Sequence, residues 1–173
     1  MRWIRVNLFK DGLWFILQDL SIFDISSSII ITPNRNELKR MGEALGISEK
    51  ISPAQVSERL NNCWVMLKDQ TDIVTNSKYE FTNNLLGSPR RCGGQGDILC
   101  GFLATLCNWV SKNQSEKICE IPKYAAVSLV SSYIMRSLCS KVYNEKGIGM
   151  ITSDLINQIP YILTRLTESC KSV

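Results

Sequence analysis

Two short apolar runs, Ser28-Ile29-Ile30-Ile31-Thr32 and Cys63-Trp64-Val65-Met66-Leu67-Lys68, are separated by two segments of helical spacing, and this order restricts the fold more than any other feature. The first run is β-branched, too short for a helix and stopped by Pro33, so it reads as a strand buried on both faces. After it, Leu38, Met41 and Leu45 recur at helical intervals from Asn34 to a stop near Gly46. Pro53 to Leu60 then forms a second helix with Ser52 at its N-cap. A strand, a helical crossover and a second strand predict parallel pairing and an α/β fold, with ligands at the carboxyl ends of the strands. Asp72 to Thr75 and Lys78 to Thr82 predict a hairpin across Asn76-Ser77. Helices are predicted near 95–112, 122–145 and 153–168, the second opened by Pro122 and the third capped by Ser153 or Asp154.

Composition removes several chemistries. Histidine is absent, so neither Ser-His-Asp nor Cys-His catalysis nor a His metal site can arise within this chain. The net charge of +4 comes without a long Lys or Arg block, which gives nucleic-acid binding little support. No apolar run, including Gly12 to Leu17, approaches the ~20 residues of a membrane-spanning helix. Met1 to Val6 has neither a signal-peptide core nor a transit pattern, so the cytoplasm is expected, with a mitochondrial form of a longer product left open. The seven cysteines show no CxxC spacing, and reduced, buried thiols are expected. Cys92 carries a second reading, as a reactive thiol near bound anions. At 173 residues and 45% hydrophobic content, residues 1–173 read as a single domain with a substantial core.

The chemistry concentrates in Gly87-Ser88-Pro89-Arg90-Arg91-Cys92-Gly93-Gly94-Gln95-Gly96-Asp97. The helix that follows has Asp97, Ile98, Leu99, Phe102, Leu103, Leu106 and Trp109 at three-to-four-residue spacing. The first turn of a helix leaves N–H groups without partners and carries positive partial charge, so it attracts an oxyanion. Glycines let the backbone approach closely, and Arg90 and Arg91 could add bidentate contacts to phosphate. Asp97 has two readings. It is an ordinary acidic residue at a helix start, or a base that takes a proton from a hydroxyl attacking the terminal phosphoryl group. Residues 32–37 and 68–72 follow the two strong strands and would converge on the same crevice. There Asn34 also reads as a simple N-cap and Lys68 as a surface lysine.

Pro33-Asn34-x-x-Glu37, Lys68-x-x-x-Asp72, Gly87 to Asp97 and Thr152-Ser153-Asp154-Leu155-Ile156 occur in the order seen in ATP-dependent (S)-NAD(P)H-hydrate dehydratases. The chain resembles the eukaryotic branch of that family from about Asp11-Gly12-Leu13-Trp14 to the last helix. The resemblance implies a ribokinase-like, three-layer α/β fold with a mainly parallel sheet, the N-terminal part of that fold missing. It also implies ATP-dependent dehydration of (S)-NADHX or (S)-NADPHX to the reduced cofactor, with release of ADP and phosphate. By the same resemblance Asn34, Arg35, Asn36, Glu37, Leu38, Lys39 and Arg40 contact the hydrated dinucleotide, and Glu37 reaches Mg²⁺ through water. Lys68, Asp69, Gln70, Thr71 and Asp72 bind ATP together with Gly87, Ser88, Pro89, Arg90, Arg91, Cys92, Gly93, Gly94, Gln95 and Gly96. Asp97 meets the substrate as the catalytic base. Two departures stand out: Lys68-Asp69 replaces the family's Lys-Gly, and Phe9 occupies the first Asp of an Asp-Ala-Asp-Gly-Leu segment. Three readings follow: a lyase completed by self-association through an exposed sheet edge, a non-catalytic nucleotide-binding fragment or partner subunit, and another ribokinase-like small-molecule kinase.

Overall fold

The computed structural model describes residues 7–8, 17–19, 29–48, 50–112 and 115–169. Phe9 to Trp14, Ser28 and Cys170 lie outside the described residues. Five strands, β1 (Asn7–Leu8), β2 (Ile30–Ile31), β3 (Trp64–Leu67), β4 (Asp72–Thr75) and β5 (Glu80–Asn83), form one sheet in that order. Helices α1 (Arg35–Ala44) and α2 (Pro53–Arg59) cross from β2 to β3, and the pairs β1–β2 and β2–β3 are parallel, as the sequence order predicts. β3–β4 and β4–β5 are antiparallel, so the sheet is mixed rather than mainly parallel. The cause is chain length: Lys68 to Thr71 is too short for a parallel crossover. The β4–β5 turn spans Asn76–Tyr79, because the Asn76 side chain accepts from the Lys78 and Tyr79 amides and keeps both out of the ladder.

Local sequence sets the helix ends. Asn34 and Glu37 form a reciprocal capping box on α1, and Ser52 and Gln55 do the same on α2 with Pro53 at the first position. α1 stops in a Schellman arrangement: Ile47 N–H bonds Gly42 O, Gly46 N–H bonds Glu43 O, and Gly46 takes φ +69°. A small hairpin, β6 (Lys117–Ile118) with β7 (Ile121–Pro122), precedes the longest helix. It lacks an Asn-Gly signature; Cys119 and Glu120 both adopt positive φ, 48° and 64°, as a type I′ turn requires.

Strand side chains alternate between two cores. Ile29, Ile31, Val65 and Leu67 pack with Leu38, Met41, Val56 and Leu60 beneath α1 and α2. Ile30, Trp64, Met66 and Val74 pack against α3 (Gln95–Ser111), α4 (Lys123–Lys146) and α5 (Thr152–Ser169). The result is three layers. On α3 the buried stripe is Leu99, Leu103 and Cys107, whereas Trp109 is 62% exposed. Six residues beyond Leu103, Trp109 is rotated by about 240° from that stripe, so its apparent periodicity does not bring it to the core. No described helix is long and apolar enough to cross a membrane.

Candidate active site

The carboxyl ends of β2 and β3 are adjacent. Lys68 N–H donates to Pro33 O at 2.9 Å, and Asn34 pairs with Lys68 as an isolated parallel bridge. Asn34 Oδ1 accepts from Glu37 N–H (2.9 Å) and Glu37 Oε2 accepts from Asn34 N–H (2.8 Å), which turns the Glu37 carboxylate toward the strand ends. Lys68 Nζ lies 3.9 Å from that oxygen. Burial pulls the Lys68 ammonium below the ordinary lysine range, against the opposing charge of Glu37 and, more weakly, of Cys100 and Asp72; Arg91 adds to the lowering. Glu37, Lys68 and Arg91 therefore lie within electrostatic reach of one another at this end of the sheet.

The other wall is the glycine segment and the start of α3. Gly94 occupies the N-cap with φ +83° and offers no side chain to the first-turn amides. Ile98 N–H makes the first helical bond, to Gly94 O at 3.1 Å, so the Gln95, Gly96 and Asp97 amides precede the intrahelical ladder. Gly94 is required twice: for its positive φ, and because a Cβ there would stand 2.8 Å from Thr152 Cγ2. Thr152, first residue of α5, donates its hydroxyl to Gly93 O and lies 3.8 Å from Cys92 Sγ. Asp154 Oδ2 accepts from Ile151 N–H at 3.0 Å, so Asp154 rather than Ser153 orders the start of α5. Arg90, Arg91 and Asp97 are exposed and form no salt bridge among the described residues. One turn into α3, Cys100 Sγ donates to Gly96 O (2.7 Å). Burial pushes its thiol up to about 12, with Lys68 opposing and Asp97 adding to the rise, so this helix start adjoins the end of β3. The N-termini of α1, α3 and α5 thus gather at one end of the sheet, and their positive ends favour an anion there.

Several predicted residues are placed differently from their neighbours in sequence. Leu38 is buried in the α1 core, and Lys39 reaches along the helix to Glu43 at 3.8 Å. Asp69, the added carboxylate, is bound by Arg35 through Nε (2.8 Å) and Nη2. Burial works against it, but the Arg35 hydrogen bonds and charge hold its carboxyl below the usual range. Asp72 is buried, with Oδ2 on Ser132 Oγ (2.6 Å) and Arg136 Nε (2.8 Å) and Oδ1 on Arg136 Nη2 (2.7 Å). Asp72 raises the guanidinium of Arg136 further above its ordinary range, through hydrogen bonding first and charge second. Neither Ser132 nor Arg136 figures in the sequence reading; the one available signal is a lone arginine in the otherwise apolar and small-residue middle of α4.

The three-layer arrangement, with helix starts gathered at one end of the sheet, is a ribokinase-like fold. The fold matches a ribokinase-like superfamily protein from Enterococcus faecalis (TM-score 0.65, 16% identity, 94% of this chain and 53% of that one) and a Streptococcus mutans protein (TM-score 0.66, 15% identity, 93% and 54%). Residues 10–161 match the sequence profile described as NAD(P)H-hydrate dehydratase (Carb_kinase), and the chain belongs to that family. It is 34% identical over 167 residues to the ATP-dependent (S)-NAD(P)H-hydrate dehydratase of Entamoeba histolytica, covering 94% of this chain and 53% of the relative. The Danio rerio protein of the same name is 30% identical over 175 residues, covering 98% and 53%. The chain spans about half the length of the curated relatives it matches.

Proposed function

We propose that this chain carries the ATP-facing and catalytic half of an ATP-dependent (S)-NAD(P)H-hydrate dehydratase, a lyase that repairs hydrated nicotinamide cofactors. The observation that carries the reading is the uncapped start of α3, with exposed Arg90 and Arg91 before it and exposed Asp97 in its first turn, beside Lys68. Names of the relatives support the same chemistry. The γ-phosphoryl group would rest on the first-turn amides of α3 and on the arginines. Asp97 would take the proton of the substrate hydroxyl as that oxygen attacks phosphorus and ADP leaves. The ring nitrogen's electron pair then expels phosphate, and loss of a proton from the adjacent ring carbon restores NADH or NADPH.

Asn34 to Arg40 would face the hydrated dinucleotide, Leu38 through its backbone alone. Mg²⁺ fits as an ion held chiefly by nucleotide phosphates with Glu37 reaching it through water, since hard cations bind nucleotides with few protein ligands. Among the described residues no cluster of three Cys, Asp or Glu side chains exists to hold an ion by itself. β1 lies at the sheet edge, and pairing of two copies along it is our reading of how the site is completed. Purified chain incubated with (S)-NADPH-hydrate, ATP and Mg²⁺ should regain dihydronicotinamide absorbance. A folded sample that gives no signal overturns the proposal.

A further inference from the structure

We infer that Arg136 is the positioning residue of the nucleotide-facing loops, a strut from α4 that fixes the turn after β3 and the entry of the glycine segment to one point. This rests on the ATP site proposed above.

The geometry is that of a guanidinium used on three separate backbone levels. Nε and Nη2 clamp the Asp72 carboxylate at 2.8 and 2.7 Å; Nη2 also donates to Asp69 O at 2.6 Å, and Nη1 to Leu85 O at 2.7 Å. The first two bonds hold the start of β4, the third holds the turn that carries Lys68 and Asp69, and the fourth holds the chain two residues before Gly87. Gly87 itself packs on the strut, its missing Cβ lying 3.6 Å from Arg136 Cγ. One turn earlier on α4, Ser132 donates to Asp72 and accepts from Asn83 Nδ2 at 2.7 Å, joining the beginning of β4 to the end of β5.

The consequence lies in what the glycine segment has of its own. Residues 84–94 form no helix or strand, so no ladder holds them. Leu85 is tied at the entry by Arg136, and Gly93 at the exit by Thr152. Between these two ties stand Arg90 and Arg91. Only a planar, five-donor head can meet a carboxylate and two carbonyls together; a lysine ammonium at the same place has three donors on one atom and cannot span them. The pair is buried, 12% and 10% exposed for the Arg136 and Asp72 side chains, so removing one partner alone strands a charge.

The test therefore removes both charges. Arg136→Met/Asp72→Leu is the folding-safe variant and Arg136→Lys the charge-conserving one, each compared with the intact chain by thermal melting, amide hydrogen exchange and ATP titration. We expect cooperative melting to persist in the double variant. Exchange at 69–71 and 85–93 should accelerate at least tenfold while the α3 amides from Leu99 to Cys107 keep their rates, and ATP affinity should fall at least tenfold. Arg136→Lys should loosen the same amides despite its charge. A folded double variant with unchanged exchange at 85–93 overturns the strut. An intact chain that shows no ATP response, beside a variant whose loops loosen as expected, overturns the nucleotide reading and leaves the strut standing.

Discussion

The two walls of the crevice are built on opposite principles. On the strand-end wall most charged and capping groups are already matched: Asn34 and Glu37 satisfy one another, Lys68 faces Glu37, and Arg35 neutralises Asp69, while the buried Thr32 hydroxyl has no hydrogen-bond partner among the described residues. On the glycine wall the polar groups are left open, with an N-cap that has no side chain and exposed Arg90, Arg91 and Asp97 lacking salt bridges among the described residues. A folded chain tolerates unmatched groups at its surface because water serves them, and those are the groups a ligand can take over. The first wall spends most of its polar groups on holding its own shape; the second keeps more of them open.

The largest test of that contrast is Asp97→Asn. As the proposed base its loss should lower ATP-dependent turnover by about 10²–10⁴-fold, the usual range for removing a positioned general base. Stability should stay within about 0.5 kcal/mol, as for an exposed substitution away from special features. Full turnover in the variant would show that Asp97 is only a helix-start carboxylate. Next comes the one rigid point of the glycine wall. Gly94→Ala must hold a positive φ and meet Thr152 Cγ2, and about 1–2 kcal/mol of destabilisation is expected from the backbone alone. Gly93→Ala, with nothing within 4 Å of its Cβ, should be near neutral. Equal urea midpoints for the two variants would mean the tie between Gly94 and α5 does not shape the loop.

What was legible from the residues alone divides along the same line. Strands at Ile30–Ile31 and Trp64–Leu67, the Asn34 and Ser52 caps, the hairpin and the long helices are all written in local signals: β-branched runs, capping pairs, proline and glycine stops. The position of the glycine segment at a helix start was legible for the same reason. Arg136 was not, because its partners lie 51 and 64 residues away and no local spacing encodes them. Trp109 misled because periodicity gives the width of an apolar stripe and not which side of it meets the sheet. β6–β7 was hidden because its turn uses Cys119 and Glu120 in a conformation that sequence preference assigns to Asn and Gly.

On the satisfied wall the expected effect of change is structural. Asn34→Ala removes the acceptor for the Glu37 amide and should cost about 1 kcal/mol, read as a lowered urea midpoint. An Asn34→Asp variant, which keeps an acceptor, should recover most of it. Loss of ATP affinity in Asn34→Ala without loss of stability would erase the distinction between the walls.

The smallest effect concerns three thiols that burial shifts. Burial pushes Cys63, Cys100 and Cys139 up to about 12, while an exposed thiol in the unfolded chain titrates near 9. Below about pH 9 both states hold these protons and the folded chain keeps its full stability. Above it the unfolded chain binds fewer protons than the folded one, so stability falls as pH rises toward 12. Urea midpoints should therefore decline between pH 9 and pH 11, and less steeply in Cys63→Ala. The same burial leaves about one thiolate in 10⁴ at pH 8 for a thiol near 12, so brief alkylation should spare these three and modify exposed Cys119. Rapid labelling of Cys100 would mean that the junction between Lys68 and the first turn of α3 opens in solution, and that the glycine wall moves independently of the wall it faces.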